Sequence, residues 1–156
     1  MSNSPSTEQH RREAPASVAC LIITVSDTRT LETDKSGQLA QILLEENGYV
    51  VAGRKIVPDE YENIKKLVEE AAADPAIEAV LLNGGTGIAG RDTTYEAVRD
   101  VLRKEMPGFG EIFRMLSFAE DIGSAAILSR AIAGTIGTTA VFSMPGSTGA
   151  VKLAMT

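Results

Sequence analysis

Asn83-Gly84-Gly85-Thr86-Gly87 places three glycines in five residues directly after an apolar run, with Arg91-Asp92 close behind. Glycines admit positive φ and let a ligand approach the main chain, and successive N–H groups beside a helix start can hold phosphate oxygens. The segment lacks the Gly-Lys-Ser/Thr ending of a Walker A loop and the spacing of a dinucleotide fingerprint. Its alternative reading is a turn that needs several glycines. Asp92 can be the N-cap of the helix that follows or a carboxylate that holds Mg²⁺ against bound phosphates. Asp59, in Val57-Pro58-Asp59-Glu60, offers the same pair of readings, with Glu62 or Asn63 completing the cap. Two such carboxylates can share one hard cation and offset the charge that opposes attack on a nucleotide phosphate. Pro145-Gly146-Ser147-Thr148-Gly149 is a candidate second anion nest, and Ser26-Asp27 lies at a third strand end. Arg29, Lys35 and Arg130 read as solvated or snorkelling side chains.

The elements that must position these residues alternate. Val18 to Val25 is a continuous apolar run, the mark of a strand buried on both faces, and ends in Ser26-Asp27. A helix is predicted over residues 34–47, capped by Asp34 or Ser36, with Leu39, Ile42 and Leu43 as its stripe and Gly48 beyond its end. A strand from Tyr49 stops before Pro58. The next helix starts near Asp59 or Glu60, turns Ile64, Leu67, Val68 and Ala71 inward, and closes at Asp74-Pro75.

A third strand, Ile77 to Leu82, runs into the glycine loop, and a helix from Thr93 or Thr94 follows with Tyr95, Val98, Val101 and Leu102 inward. Residues 108–118 read as a short helix with Phe109, Ile112, Phe113 and Leu116 buried. Residues 122–137 could be helix, strand or hairpin arm. A last strand, Thr139 to Met144, leads into Pro145 and the opening of a helix. A terminal amphipathic helix of roughly ten residues or more is expected there, whereas the sequence ends at Thr156, so the reading allows a truncated C-terminus. The order implies one three-layer α/β/α domain with a mostly parallel central sheet over residues 18–156, in which ligands bind outside the carboxyl ends of the strands.

Composition narrows the function classes. Fifteen basic and twenty-one acidic side chains leave a net charge of −6, and with no Trp, three Tyr and four Phe there is no basic, aromatic stripe for a nucleic acid. Residues 1–17 are polar, read as a flexible arm, and contain no apolar stretch for a membrane or a secretory signal, so a cytoplasmic location is expected. Cys20 has no cysteine partner and reads as a core thiol. His10, in the arm, is the only histidine, which leaves ordinary serine-hydrolase triads without their base.

The motifs Gly84-Gly85-Thr86-Gly87, Arg91-Asp92-x-Thr94, Pro107-Gly108-Phe109-Gly110-Glu111, Phe113-Arg114, Leu128-Ser129-Arg130 and Met144-Pro145-Gly146-Ser147-Thr148, in this order, resemble the molybdopterin-binding domain of molybdenum-cofactor biosynthesis proteins. The resemblance spans about residues 18 to 156. Phe113 to Phe118 and Pro145 to Thr148 resemble the MoaB branch more than the MogA branch. It implies a molybdopterin-binding-like fold and transfer of AMP from Mg-ATP to the terminal phosphate of molybdopterin, with pyrophosphate released. Gly84, Gly85, Thr86 and Gly87 would cradle nucleotide phosphates, Asp59 and Asp92 would serve Mg²⁺-assisted transfer, and Pro145, Gly146, Ser147 and Thr148 would receive the pterin phosphate. Ser26 and Asp27 match the family's early loop. The alternative is a non-catalytic molybdopterin-binding or pathway-assembly protein of the same fold. The resemblance further implies a homo-oligomer, a hexamer favoured over a trimer, to which Ile112, Met115, Phe118, Ile122, Ile127 and Ile132 would supply apolar contact.

Overall fold

The unbroken apolar run near the amino terminus becomes β1 (Ala19–Val25), and every residue after Ala19 in it is buried. The computed structural model describes residues 4–156. After β1 come α2 (Lys35–Glu46), β2 (Val50–Val57), α3 (Tyr61–Ala73), β3 (Ala79–Asn83) and α4 (Thr94–Val101). The chain continues through β4 (Lys104–Glu105), α5 (Pro107–Glu120), a 3₁₀ turn (Gly123–Leu128), β5 (Ile132–Ile136), β6 (Thr139–Met144) and α6 (Thr148–Ala154). Ahead of β1, the polar arm carries a helix, α1 (Pro5–Glu13). Pro5 at its first position and the Ser4 hydroxyl, which accepts from the Thr7 N–H, start it, and none of its residues is buried.

Six strands form one sheet in the order β2-β1-β3-β6-β5-β4. The pairs β2-β1, β1-β3 and β3-β6 are parallel, whereas β5 runs antiparallel to β6 and to β4. The sheet is therefore mostly parallel, as expected. Residues 122–137 resolve into the 3₁₀ turn and one arm of a hairpin, whose turn uses Gly137 at φ +59°.

Alternate residues of β1 face opposite layers. Leu21, Ile23 and Val25 pack with Ile64, Val68, Ala97 and Val98 of α3 and α4. Cys20 and Ile22 pack with Ala40 and Leu44 of α2 and Val151 of α6. This corrects the predicted stripe of α2: Ile42 is exposed, and the small residues Gly37 and Ala40 lead the buried face with Leu44. Small side chains there let the helix axis approach the sheet. Helix α5 is longer than expected, and Ile112 lies on its exposed side while Phe113 is buried. Among the described residues, no helix is long and apolar enough to cross a membrane.

The strand order places β1 between β2 and β3, so the connection leaving β1 runs to one side of the sheet and the connection leaving β3 to the other, which opens a crevice between their carboxyl ends. Ser26-Asp27, Pro58-Asp59 and the glycine loop all emerge at that end.

Candidate functional site

Gly84 and Gly85, at φ +104° and +66°, turn the chain sharply as it leaves β3. A Cβ on Gly84 would lie 2.3 Å from the Val25 carbonyl oxygen, so only glycine lets the loop run this close to the end of β1. The Gly84 N–H donates to the Met144 carbonyl, and Gly146 would carry a Cβ 3.1 Å from the Gly84 Cα. The glycine loop and the Pro145–Gly149 turn thus lean on each other. Between them lies an open cavity of about 290 Å³, lined by Gly85, Thr86, Gly87, Asp92, Ser129, Pro145 and Gly146 among others. A larger hollow of about 920 Å³ lies at the opposite end of the sheet, among Val18, Ala79 and Ala140. Neither the Gly84–Gly87 loop, nor the Pro145–Gly149 turn, nor either candidate metal-holding acid lines it, so the smaller cavity is the candidate site.

The two acids stand beside that loop, and neither caps the helix expected of it. Asp59 accepts at Oδ1 from the Thr93 N–H (3.1 Å) and the Thr93 hydroxyl (2.8 Å), which ties the end of β2 to the start of α4. Helix α3 begins instead after Glu60, without a side-chain cap. Asp59 Oδ2 would lie 2.6 Å from a Cβ on Gly85. Asp92 accepts at Oδ2 from the Ala89 N–H at 3.0 Å, inside its own loop, and its carboxylate occupies the space that a Gly87 side chain would need. Thr93 is the N-cap of α4 and makes no side-chain cap bond. Both carboxylates are packed against glycines of the loop, where hard oxygen donors could meet Mg²⁺. No cluster of three or more acidic, His or Cys side chains suited to a metal exists among the described residues.

Asp27 joins the three loops. It accepts at Oδ1 from the Asp59 N–H at 3.1 Å and takes both Nε and Nη2 of Arg91, at 2.8 and 2.7 Å. The Arg91 N–H groups, then the Asp59 N–H, hold its carboxyl below the usual carboxylate range. Ser26 accepts from the Thr28 and Arg29 N–H groups and so shapes the turn after β1. Ser147 is the N-cap of α6, accepting from the Ala150 N–H at 3.1 Å. Its own hydroxyl proton remains free to donate. Thr148 is exposed beside it.

Several residues organise more than the sequence signals, and Asp34, expected as a cap of α2, is its N-cap. Asp34, buried at the start of α2, accepts from Thr24 Oγ1 (2.7 Å), the Gly37 N–H (3.0 Å) and Arg54 Nη2 (3.0 Å). Ser36 donates to Asn83 Oδ1, and Asn83 Nδ2 donates to Thr24. This polar network links β1, α2, β2 and β3 below the site. Arg29 is not merely solvated: it donates to Ser36 Oγ at 2.7 Å and to the Gly146 carbonyl at 3.2 Å. Arg130 likewise reaches inward, to the carbonyls of Gly87 and Asp92. Lys35 stays exposed, as expected.

The family described as "Probable molybdopterin binding domain" matches residues 21–156. The chain belongs to this family. It is 68% identical over 151 residues to molybdenum cofactor biosynthesis protein B of Halalkalibacterium halodurans (strain ATCC BAA-125 / DSM 18197 / FERM 7344 / JCM 9153 / C-125), covering 97% of this chain and 89% of that one. A crystal structure of a molybdenum cofactor biosynthesis protein B is 58% identical with a TM-score of 0.88, over 91% of this chain and 88% of the other. The tungsten cofactor synthesizing protein MoaB from Pyrococcus furiosus is 38% identical with a TM-score of 0.78, over 91% of this chain and 90% of its own. Relationship to the MoaB branch, expected from Phe113–Phe118 and the final turn, is thereby established.

Proposed function

We propose that the chain acts in molybdenum cofactor biosynthesis as a molybdopterin adenylyltransferase. The observation that carries this reading is the packing of two carboxylates, Asp59 and Asp92, against the glycines of a phosphate-sized loop at the switch point of the sheet. The main chain of Gly84, Gly85, Thr86 and Gly87 holds the ATP phosphates, and Pro145, Gly146, Ser147 and Thr148 receive the phosphate of molybdopterin. Ser147 donates its free hydroxyl proton to that phosphate.

An oxygen of the pterin phosphate attacks the α-phosphorus of ATP in line. The bond from that phosphorus to the bridging oxygen breaks, and pyrophosphate leaves with the electron pair. Asp59 and Asp92 would hold Mg²⁺, which supplies charge neutralisation on the phosphates. The attacking phosphate is already largely ionised near neutral pH, so no histidine base is needed. Holding both reactants in one geometry is the main catalytic device. Ser26 and Asp27 act indirectly, Ser26 by shaping the first turn and Asp27 by fixing the Asp59 main chain and Arg91. A homo-oligomer in the cytoplasm completes the proposal.

Incubation with Mg-ATP and molybdopterin tests it by the appearance of adenylylated pterin and pyrophosphate. Pterin binding without product would replace it with a non-catalytic pterin-binding role. Asp92→Asn keeps the loop's hydrogen bond to the Ala89 N–H but removes a negative ligand. Turnover at limiting Mg²⁺ is expected to fall about a hundredfold, as for loss of one transition-state charge contact, and unchanged turnover removes Asp92 from the metal site.

A further inference from the structure

Arg130 enters the site from behind the glycine loop. It follows the 3₁₀ turn and precedes β5, and its Nε and Nη2 both donate to the Gly87 carbonyl, at 2.8 and 2.5 Å. Nη2 also donates to the Asp92 carbonyl at 3.2 Å. Nη1 donates to Glu96 Oε1 on α4, and the guanidinium stands over the Tyr95 ring, 5.0 Å from its centroid. One planar fork therefore grips both ends of the segment 87–92 and fastens them to α4. An ammonium, a single compact donor group, could not span the same three acceptors.

The Asp92–Thr93 peptide is held on both edges. A trans peptide is planar, with its C=O and N–H directed oppositely. Here the carbonyl accepts from Arg130 and the N–H donates to Asp59 Oδ1. The Gly87 carbonyl, held by two donors, turns the N–H of Ile88 away from Arg130. Within the loop, the Asp92 carboxylate receives the Ala89 N–H. The orientation of these peptides and the place of the Asp92 carboxylate thus depend on a side chain distant from them in sequence. The Arg130 contact also holds the Glu96 carboxyl below its ordinary range.

We propose that Arg130 is a positioning residue of the nucleotide site: it fixes the peptide planes of residues 87–93, and with them the Asp92 carboxylate, without touching the ligand. What the loop holds rests on the adenylyltransferase reading, whereas the grip itself does not.

Arg130→Lys, made in the full chain, keeps the charge and loses the fork. Amide hydrogen exchange should accelerate about tenfold in the peptide covering 87–93, the scale of one lost charge-assisted hydrogen bond, and stay unchanged in β1 and α2. The Mg²⁺ concentration that half-saturates ATP binding, followed by titration calorimetry, should rise by about the same factor. Unchanged exchange at 87–93, or uniform acceleration across the core, overturns the proposal. Should Arg130→Lys fail to fold, Glu96→Gln decides: it frees Nη1 and should loosen the same segment about threefold, a fraction of one hydrogen bond, and no local change overturns the proposal. Wild-type protein that does not bind Mg-ATP would defeat the adenylyltransferase reading, and the exchange data would still decide the grip.

Discussion

Gly85 shows how little freedom the site has at a single residue. It sits at φ +66°, and a Cβ there would lie 2.2 Å from Thr94 Oγ1 and 2.6 Å from Asp59 Oδ2. Alanine would cost about 1–2 kcal/mol for the left-handed backbone alone, before either neighbour moves. Displacing Asp59 would also release the Thr93 contacts that start α4. We expect Gly85→Ala to fold, with far-ultraviolet circular dichroism unchanged, and to lose about tenfold or more in Mg-ATP affinity, the equivalent of about 1.4 kcal/mol. Gly90 is the control, because nothing lies within 4 Å of its Cβ position and its φ is ordinary. Calorimetric titration of both variants checks this, and equal affinity in the two would remove Gly85 from the ligand-facing surface.

At the scale of elements, Ser147 caps α6, and substitution can separate that role from the proposed donation to the pterin phosphate. Loss of such a cap costs about 1 kcal/mol. Ser147→Ala should lower the melting temperature by about 2–4 °C and weaken molybdopterin binding. Ser147→Asp should keep the cap and the melting temperature but repel the pterin phosphate, so retained pterin affinity in the Asp variant would leave Ser147 as a cap only. Asp34 couples elements more tightly. Burial pushes its carboxyl up, but donation from Thr24, the Gly37 N–H and Arg54 outweighs it and leaves the group below its ordinary value. A depressed folded pKa stabilises the fold above the unfolded carboxyl value of about 3.9 and loses that contribution as pH falls through the folded value. Thermal melts of Asp34→Asn should therefore show a loss of about 1–3 kcal/mol at neutral pH and a shallower fall below about pH 4 than the wild type. Parallel curves would assign the acid limb to other carboxylates. The alternation of elements was legible because buried strands are continuous apolar runs and α2 and α3 stop at Gly48 and Asp74-Pro75; the helix expected to run to Met106-Pro107 instead ends at Val101, and Lys104–Glu105 form β4 before Pro107 opens α5. Glycine turns and acids at strand ends interrupt that pattern and so marked the candidate site. The stripe of α2 was misread because Gly37 and Ala40 bury a face by smallness, which hydrophobic periodicity underweights. Asp34 was legible as the cap of α2, whereas the contacts that Asp34, Ser36, Asn83 and Arg130 make between elements were not, since those partners lie far off in sequence and only the fold brings them together.

For the whole molecule, the sheet gathers the candidate site residues at one end and leaves exposed apolar side chains beside them. Ile112, Met115 and Phe118 follow one another at helical spacing on the outer side of α5, and Phe118 is 63% exposed. Ile122 and Ile127, from the segment that follows, are exposed as well, the latter at 83%. Only Ile132 of the six expected contact residues lies in the chain's own core, buried in β5. The other five therefore do not fill that core, and α5 meets its neighbours through Phe109, Phe113 and the small residues Ala131 and Ala150 instead. Leaving such side chains in water forgoes roughly 25 cal/mol per Å² of apolar surface, and exposed apolar side chains of this kind are what association between copies would cover. Ile122 also lines the small cavity, which puts one of these side chains against the site. We expect a homo-oligomer, with six copies favoured over three by the family resemblance, and expect Phe118→Glu to dissociate it, because a carboxylate would be buried without a partner. Light scattering behind a sizing column at micromolar concentration measures the mass directly. A value near the 16.5 kDa protomer for the wild type would defeat the prediction, a threefold mass would leave only its hexameric part wrong, and an oligomer undisturbed by Phe118→Glu would move the interface away from α5.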